Sequence, residues 1–149
     1  MTSTGELNPM MPGAKTYAIF GFCILNHFID STEVLQTDIM TYVNSVAEIT
    51  HSMVDRYGGA ANKNIGDAFL LVWKFDDPKQ IAAMDAKGKF ETSKVSLKNQ
   101  VIADMSVFSF LKIIAKINKY RHILEYNKNV EMNRRIKGGF KVKMGFGLH

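Results

Sequence analysis

Two stretches of this chain, Tyr17–Leu25 (YAIFGFCIL) and Ala68–Trp73 (AFLLVW), contain no charged residue and no alternation of polar with apolar side chains. Runs this short and this uniform fit strands covered on both faces, hence strands central in their sheet. Between them, Leu35, Ile39, Val43, Val46, Ile49, Met53 and Tyr57 recur at steps of three and four, the single apolar stripe of an amphipathic helix. Asp30 followed by Glu33 fits a capping box at its start, with Asp in place of Ser or Thr, and Gly58–Gly59 ends it. Ala60–Ile65 is short and polar, as an edge strand is. Gly66–Asp67 then supplies a two-residue loop with Gly first, the chemistry of a type II′ hairpin turn.

Residues 75–99 are polar and predict a surface insertion. A long helix is expected from Gln100 to Glu125, its buried stripe marked by Val101, Met105, Phe108, Leu111, Ile114, Ala115 and Ile117. Polar residues 127–139 leave room for a short helix ending at Gly138–Gly139. In the last strand Phe140, Val142, Met144, Phe146 and Leu148 face one way, while Lys141, Lys143, Gly145 and Gly147 face the other. The order is β-α-β-β-α-β, an α+β class with the split βαβ of ferredoxin-like folds and two helices on one face. In that topology strands one and three are central and strands two and four are edges, as the apolarity of each run requires.

At 149 residues the chain suits one domain, read as a flexible leader over 1–15 and a folded unit over 16–149. A net charge of +5 suits an anionic ligand, but the basic residues are scattered, so no nucleic-acid site is expected. Cys23 is the single cysteine, which excludes an internal disulfide and any multi-cysteine zinc site and favours a reducing compartment. His27, His51, His122 and His149 lack ligand spacing. No apolar stretch is long enough to cross a membrane, since Tyr17–Ile29 is broken at Asn26 and His27.

In the expected topology, strand one runs antiparallel beside strand three, so its end near residues 23–25 meets the turn that carries Asp67. A carboxylate on each would make a pair able to hold two divalent metals about 4 Å apart for phosphoryl chemistry. Asp67 is such a carboxylate; the strand-one position holds Ile24.

The residues around these positions carry a resemblance. Phe20–Phe28 (FGFCILNHF), followed by Ile29–Glu33 (IDSTE), is similar to the F-G-F-C-D-I-R-x-F-T-D-A-T-E opening of class III adenylate/guanylate cyclase catalytic domains. Tyr57–Trp73 (YGGAANKNIGDAFLLVW) resembles that family's K-x-I-G-D hairpin over many consecutive positions, and Lys141–His149 resembles its following strand. The likeness covers roughly residues 16–149 and is weakest in 75–99.

The resemblance implies a partial cyclase domain, cut short before the family's later base-contacting and transition-state residues. It implies that Asp67 matches a metal-binding Asp for Mg2+ or Mn2+, and that Lys63 matches the base-reading position, where Lys goes with ATP and Glu with GTP. It implies that Gly66, Phe22 and Cys23 lie against the nucleotide, Phe22 and Cys23 through the strand-one backbone. Ile24 stands where the family has its first metal-binding Asp, and Asn26 where it has Arg. Such a chain is expected to be catalytically incompetent by itself. The family forms its sites between two subunits, so a homodimer or a complete cyclase chain is the expected partner. A cytoplasmic location, free or on the cytoplasmic side of a membrane within a longer protein, is expected with it. The alternative is a non-catalytic module that pairs with a complete cyclase chain and regulates it, its exposed last strand offering an edge.

Overall fold

The computed structural model describes residues 12–13, 15–88 and 91–149; most of the leader expected over 1–15 lies outside them. Strands β1 (Ala18–Leu25), β2 (Ala60–Ile65), β3 (Ala68–Lys74) and β4 (Met144–Leu148) form one antiparallel sheet in the order β2-β3-β1-β4. The two apolar strands are central and the two others are edges, in the α+β, ferredoxin-like order that the sequence predicts.

Helices α1 (Phe28–Leu35) and α2 (Ile39–Arg56) follow β1, and α3 (Pro78–Ala86), α4 (Leu97–Ile117), α5 (Arg121–Tyr126) and α6 (Val130–Arg135) lie between β3 and β4. One core joins Val43, Val46 and Ile49 of α2, Phe110, Ile113 and Ile117 of α4, and Cys23, Leu25, Phe69, Leu71 and Trp73 of the central strands. The Trp73 ring sets the spacing of this layer. A Cβ on Gly21 would fall 2.7 Å from it and 2.8 Å from Phe110, and a Cβ on Gly59 would fall 2.5 Å from it. Among the described residues, no helix is long and apolar enough to cross a membrane.

Five details depart from the sequence expectations. First, the sheet is covered on one face only. Phe20, Phe22 and Ile24 of β1 remain 43%, 41% and 40% exposed, although the strand is central. Second, the first helix is two. Gln36 takes a φ of +48° and breaks it, and His27, not Asp30, is the residue before α1, with a φ of +58°. Asp30 sits inside the first turn, its carboxylate 3.7 Å from His27 Nδ1, and caps nothing.

Third, the polar stretch 75–99 contains α3, started by Asp77, which accepts from Gln80 N–H, and anchored by buried Ile81. Asn99, wholly buried, accepts from Asp76 N–H at 3.0 Å and pins the entry to that helix. Fourth, the long helix ends at Ile117, where the Asn118 side chain donates back to Ile114 O. Its buried stripe is Asn99, Ser106, Ser109, Phe110, Ile113 and Ile117, while Val101, Phe108, Leu111 and Ile114 point outward. The serines fit the core because each hydroxyl donates to a carbonyl of its own helix, Ala103 O and Ser106 O.

Fifth, the last strand starts at Met144, not Phe140. Phe140 and Val142 are buried, but their N–H groups donate to the side chains of Asn133 and Asn127, which hold this segment before the ladder begins.

Candidate functional site

The hairpin β2–β3 turns through Gly66, whose φ of +58° suits glycine, and Asp67. β1 runs past that turn: Leu25 N–H donates to Asp67 O at 2.9 Å, and Ile24 is the ladder partner of Ala68. Asp67 and Ile24 are therefore neighbours at one end of the sheet, half-buried and exposed respectively.

Register decides what shares the open face. Ile65, Ala68, Ile24 and Gly145 form one row across the four strands; Lys63, Leu70, Phe22 and Gly147 form the next. Residues directly opposite one another project to the same side, so Lys63 stands on the face of Phe22, one row from the turn. The hairpin register places it there, since Lys63 lies two residues from Ile65, the partner of Ala68. The register of β2 slips only beyond it, between Ala61 and Lys63, which sets Ala61 opposite Leu71 on the helical side.

The structure thus brings Lys63, Gly66, Asp67, Phe22 and Ile24 to one corner. The Cys23 backbone lies between Phe22 and Ile24 in β1, but its side chain is wholly buried in the opposite layer, where burial pushes its thiol pKa up to about 12, so the thiol itself offers nothing to a ligand on the open face. Asn26 lies apart. It lines a groove of ≈ 300 Å³ with Ile114, Ile117, Val142, Met144 and Phe146, on the helical side of β4. A further groove of ≈ 470 Å³, at Leu35, Thr41, Ser45, His122 and Glu125, includes none of the corner residues.

Two divalent metals need carboxylates on both sides, and this corner has one. Among the described residues, no group of three or more His, Cys, Asp or Glu side chains is gathered around a common point. Ile24 presents a branched hydrocarbon toward the turn and cannot replace the missing oxygen ligands. The donor set does not fit a two-metal centre.

What sequence reasoning missed is the apolar surface beside it. Phe20, Phe22, Ile24 and Ile65 are all exposed on this face, and Gly145 and Gly147 leave open space next to β1. The even-numbered apolar residues of β1 were the signal, but an unbroken apolar run reads the same whether its second face meets protein within the chain or beyond it.

No protein-family model matches the chain, and no curated protein matches it. Solved structures do. A bacterial light-regulated adenylyl cyclase superposes with a TM-score of 0.59 at 19% identity, over 89% of this chain and 52% of that one. The guanylyl cyclase domain of the RhoGC fusion protein from the aquatic fungus Blastocladiella emersonii gives 0.54 at 18%, over 91% and 58%. The guanylate cyclase domain of RhGC from Catenaria anguillulae, determined in complex with GTP, gives 0.51 at 21%, over 91% and 57%. The chain spans a little over half the length of each. It has the fold of class III nucleotide cyclase catalytic domains, at identities that speak for fold alone.

Proposed function

We propose that the chain is a nucleotide cyclase-type domain that does not cyclise nucleotide by itself and serves as the pairing partner of a second cyclase-type chain. The observation that carries this is the corner where β1 passes the Gly66–Asp67 turn: Ile24 is there instead of a second carboxylate. The apolar face around it supports the pairing half. Phe20, Phe22, Ile24 and Ile65 form a patch that a monomer would leave in water.

Within such a pair Asp67 and Lys63 are the polar groups this chain can offer a nucleotide. Lys63 favours adenine, by the resemblance of its hairpin. Asp67 alone can contribute to one cation held with partner or phosphate oxygens, and no catalytic step is assigned to it.

The test has two arms. Purified chain with ATP or GTP and Mg2+ or Mn2+ is expected to yield no cyclic nucleotide; product that disappears in Asp67→Ala would overturn the incompetence. Mixed with a complete adenylyl cyclase catalytic domain, the chain is expected to associate and to change its rate, and Phe22→Lys to abolish both effects. Absence of association would end the pairing half.

A further inference from the structure

The free edge of β4 has a pattern of its own. Phe20 and His149 exchange both backbone hydrogen bonds, at 2.8 and 2.9 Å, and Asn26 N–H donates to Lys143 O at 3.0 Å. Antiparallel ladders alternate, so residues 143, 145, 147 and 149 turn their N–H and C=O toward β1. Those of 140, 142, 144, 146 and 148 turn outward. The first two outward N–H groups are already taken, Phe140 by Asn133 and Val142 by Asn127. Met144, Phe146 and Leu148 are therefore the outward residues of this edge whose N–H groups have no partner among the described residues.

That window reads MGFGL, apolar–Gly–Phe–Gly–apolar in either direction. We propose that β4 pairs with β4 of a second copy of this chain, antiparallel about a two-fold axis through Phe146, joining two four-stranded sheets into one continuous sheet.

The register closes on itself. Phe146 faces Phe146 of the second copy, and Met144 faces its Leu148, so all three outward residues of each copy fall in hydrogen-bonded pairs. Gly145 and Gly147 meet in the closer, non-hydrogen-bonded positions, where a Cβ would have nothing within 4 Å in the single chain. On the helical side, Leu148 of the second copy lies beside Met144, at the groove lined by Ile114, Ile117, Val142 and Phe146. Outward-facing Leu111 and Ile114 of α4 gain cover there.

Charge does not oppose it. The two Lys143 residues stand six positions apart along the shared ladder, about 20 Å, well beyond a Debye length of about 8 Å. The other edge is unsuited to such pairing. β2 carries a bulge and the sequence Asn62-Lys63-Asn64, devices that keep strands from joining. A self-paired β4 uses the sheet edge and leaves the open face free, so it does not depend on pairing with a cyclase chain.

Sedimentation of the 149-residue chain across a dilution series tests it, with backbone amide exchange read alongside. The expected result is a monomer–dimer equilibrium in which protection of the Phe146 and Leu148 amides rises with concentration. Met144→Lys alone and Leu148→Glu alone are expected to weaken dimerisation by about 10-fold or more, with circular dichroism unchanged. The double variant restores it, because each Lys then faces a Glu across the axis. A chain that stays monomeric overturns the proposal, as does a dimer indifferent to both single variants. So do edge amides protected equally at every dilution, which would mean that the chain covers its own edge. Phe22→Lys, on the open face, is expected to leave this equilibrium unchanged, so loss of cyclase pairing and loss of self-pairing are separable.

Discussion

Replacing Ile24 by Asp puts a carboxylate at the end of β1, one ladder position from the Gly66–Asp67 turn. Without cation the change destabilises, by an amount the structure bounds. Ile24 is 40% exposed, so about three-fifths of a side-chain burial of ~1.5–3 kcal/mol is lost, or about 1–2 kcal/mol. Asp fits a strand less well than Ile, which adds up to about 1 kcal/mol. Repulsion from Asp67 adds on the order of 1 kcal/mol in a solvent-exposed corner. The sum, about 3 kcal/mol, lowers the melting temperature by about 6–12 °C. Mn2+ reverses this in the variant, since a cation held by both carboxylates at 100 times its Kd returns about 2.7 kcal/mol. Thermal melts of the unaltered chain, Ile24→Asp and Ile24→Asp/Asp67→Asn, each with and without Mn2+, provide the measurement. Only Ile24→Asp is expected to show the recovery. An equal Mn2+ shift in the unaltered chain, or one that survives loss of Asp67, refutes the placement of these two side chains around a single cation.

Two further predictions concern the core. Tyr42 is wholly buried, stacks edge-on against Tyr126 at 4.7 Å, and its hydroxyl has no hydrogen-bond partner among the described residues. Burial raises its pKa accordingly, and Tyr42→Phe, which keeps the ring contact, is expected to stabilise the fold by about 1 kcal/mol in urea titration. Cys23 titrates at about 12 when folded, against 9.0 for an ordinary thiol, because burial penalises the thiolate. Its contribution is therefore complete below pH 9 and is lost as pH rises toward 12, at about 1.4 kcal/mol per pH unit. The difference in urea stability between the unaltered chain and Cys23→Ala should shrink over that window and stay constant below it, and the folded thiol should resist alkylation at neutral pH.

The strands and the hairpin were legible because their signals are local. Gly66–Asp67 between an edge-like and a core-like run specifies a turn, and the turn specifies that Asp67 lies near the end of β1. The faces were not legible. Phe20, Phe22 and Ile24 belong to the same unbroken run as Cys23 and Leu25, and nothing local marks which half stays open. In α4 the apolar residues surround the helix, so periodicity selected Val101, Phe108 and Leu111. Ser106 and Ser109 hold the buried positions by bonding to their own backbone. The break at Gln36 carries no Gly or Pro to announce it. The bulge between Ala61 and Lys63 is a property of pairing with β3, absent from β2 taken alone.

The asparagines that receive Phe140 and Val142 have a consequence for how the approach to the sheet comes apart. Asn133 also donates to Asn127 O and Asn129 O at 2.8 Å, so the approach to β4 is fastened to the loop between α5 and α6 by a few amide groups. Opening of that small helical pair, the kind of sub-global event that costs less than full unfolding, frees residues 140–142 while the Met144–Leu148 ladder stays zipped to β1. A ladder yields along its whole length, whereas a side-chain latch can be undone at a single residue.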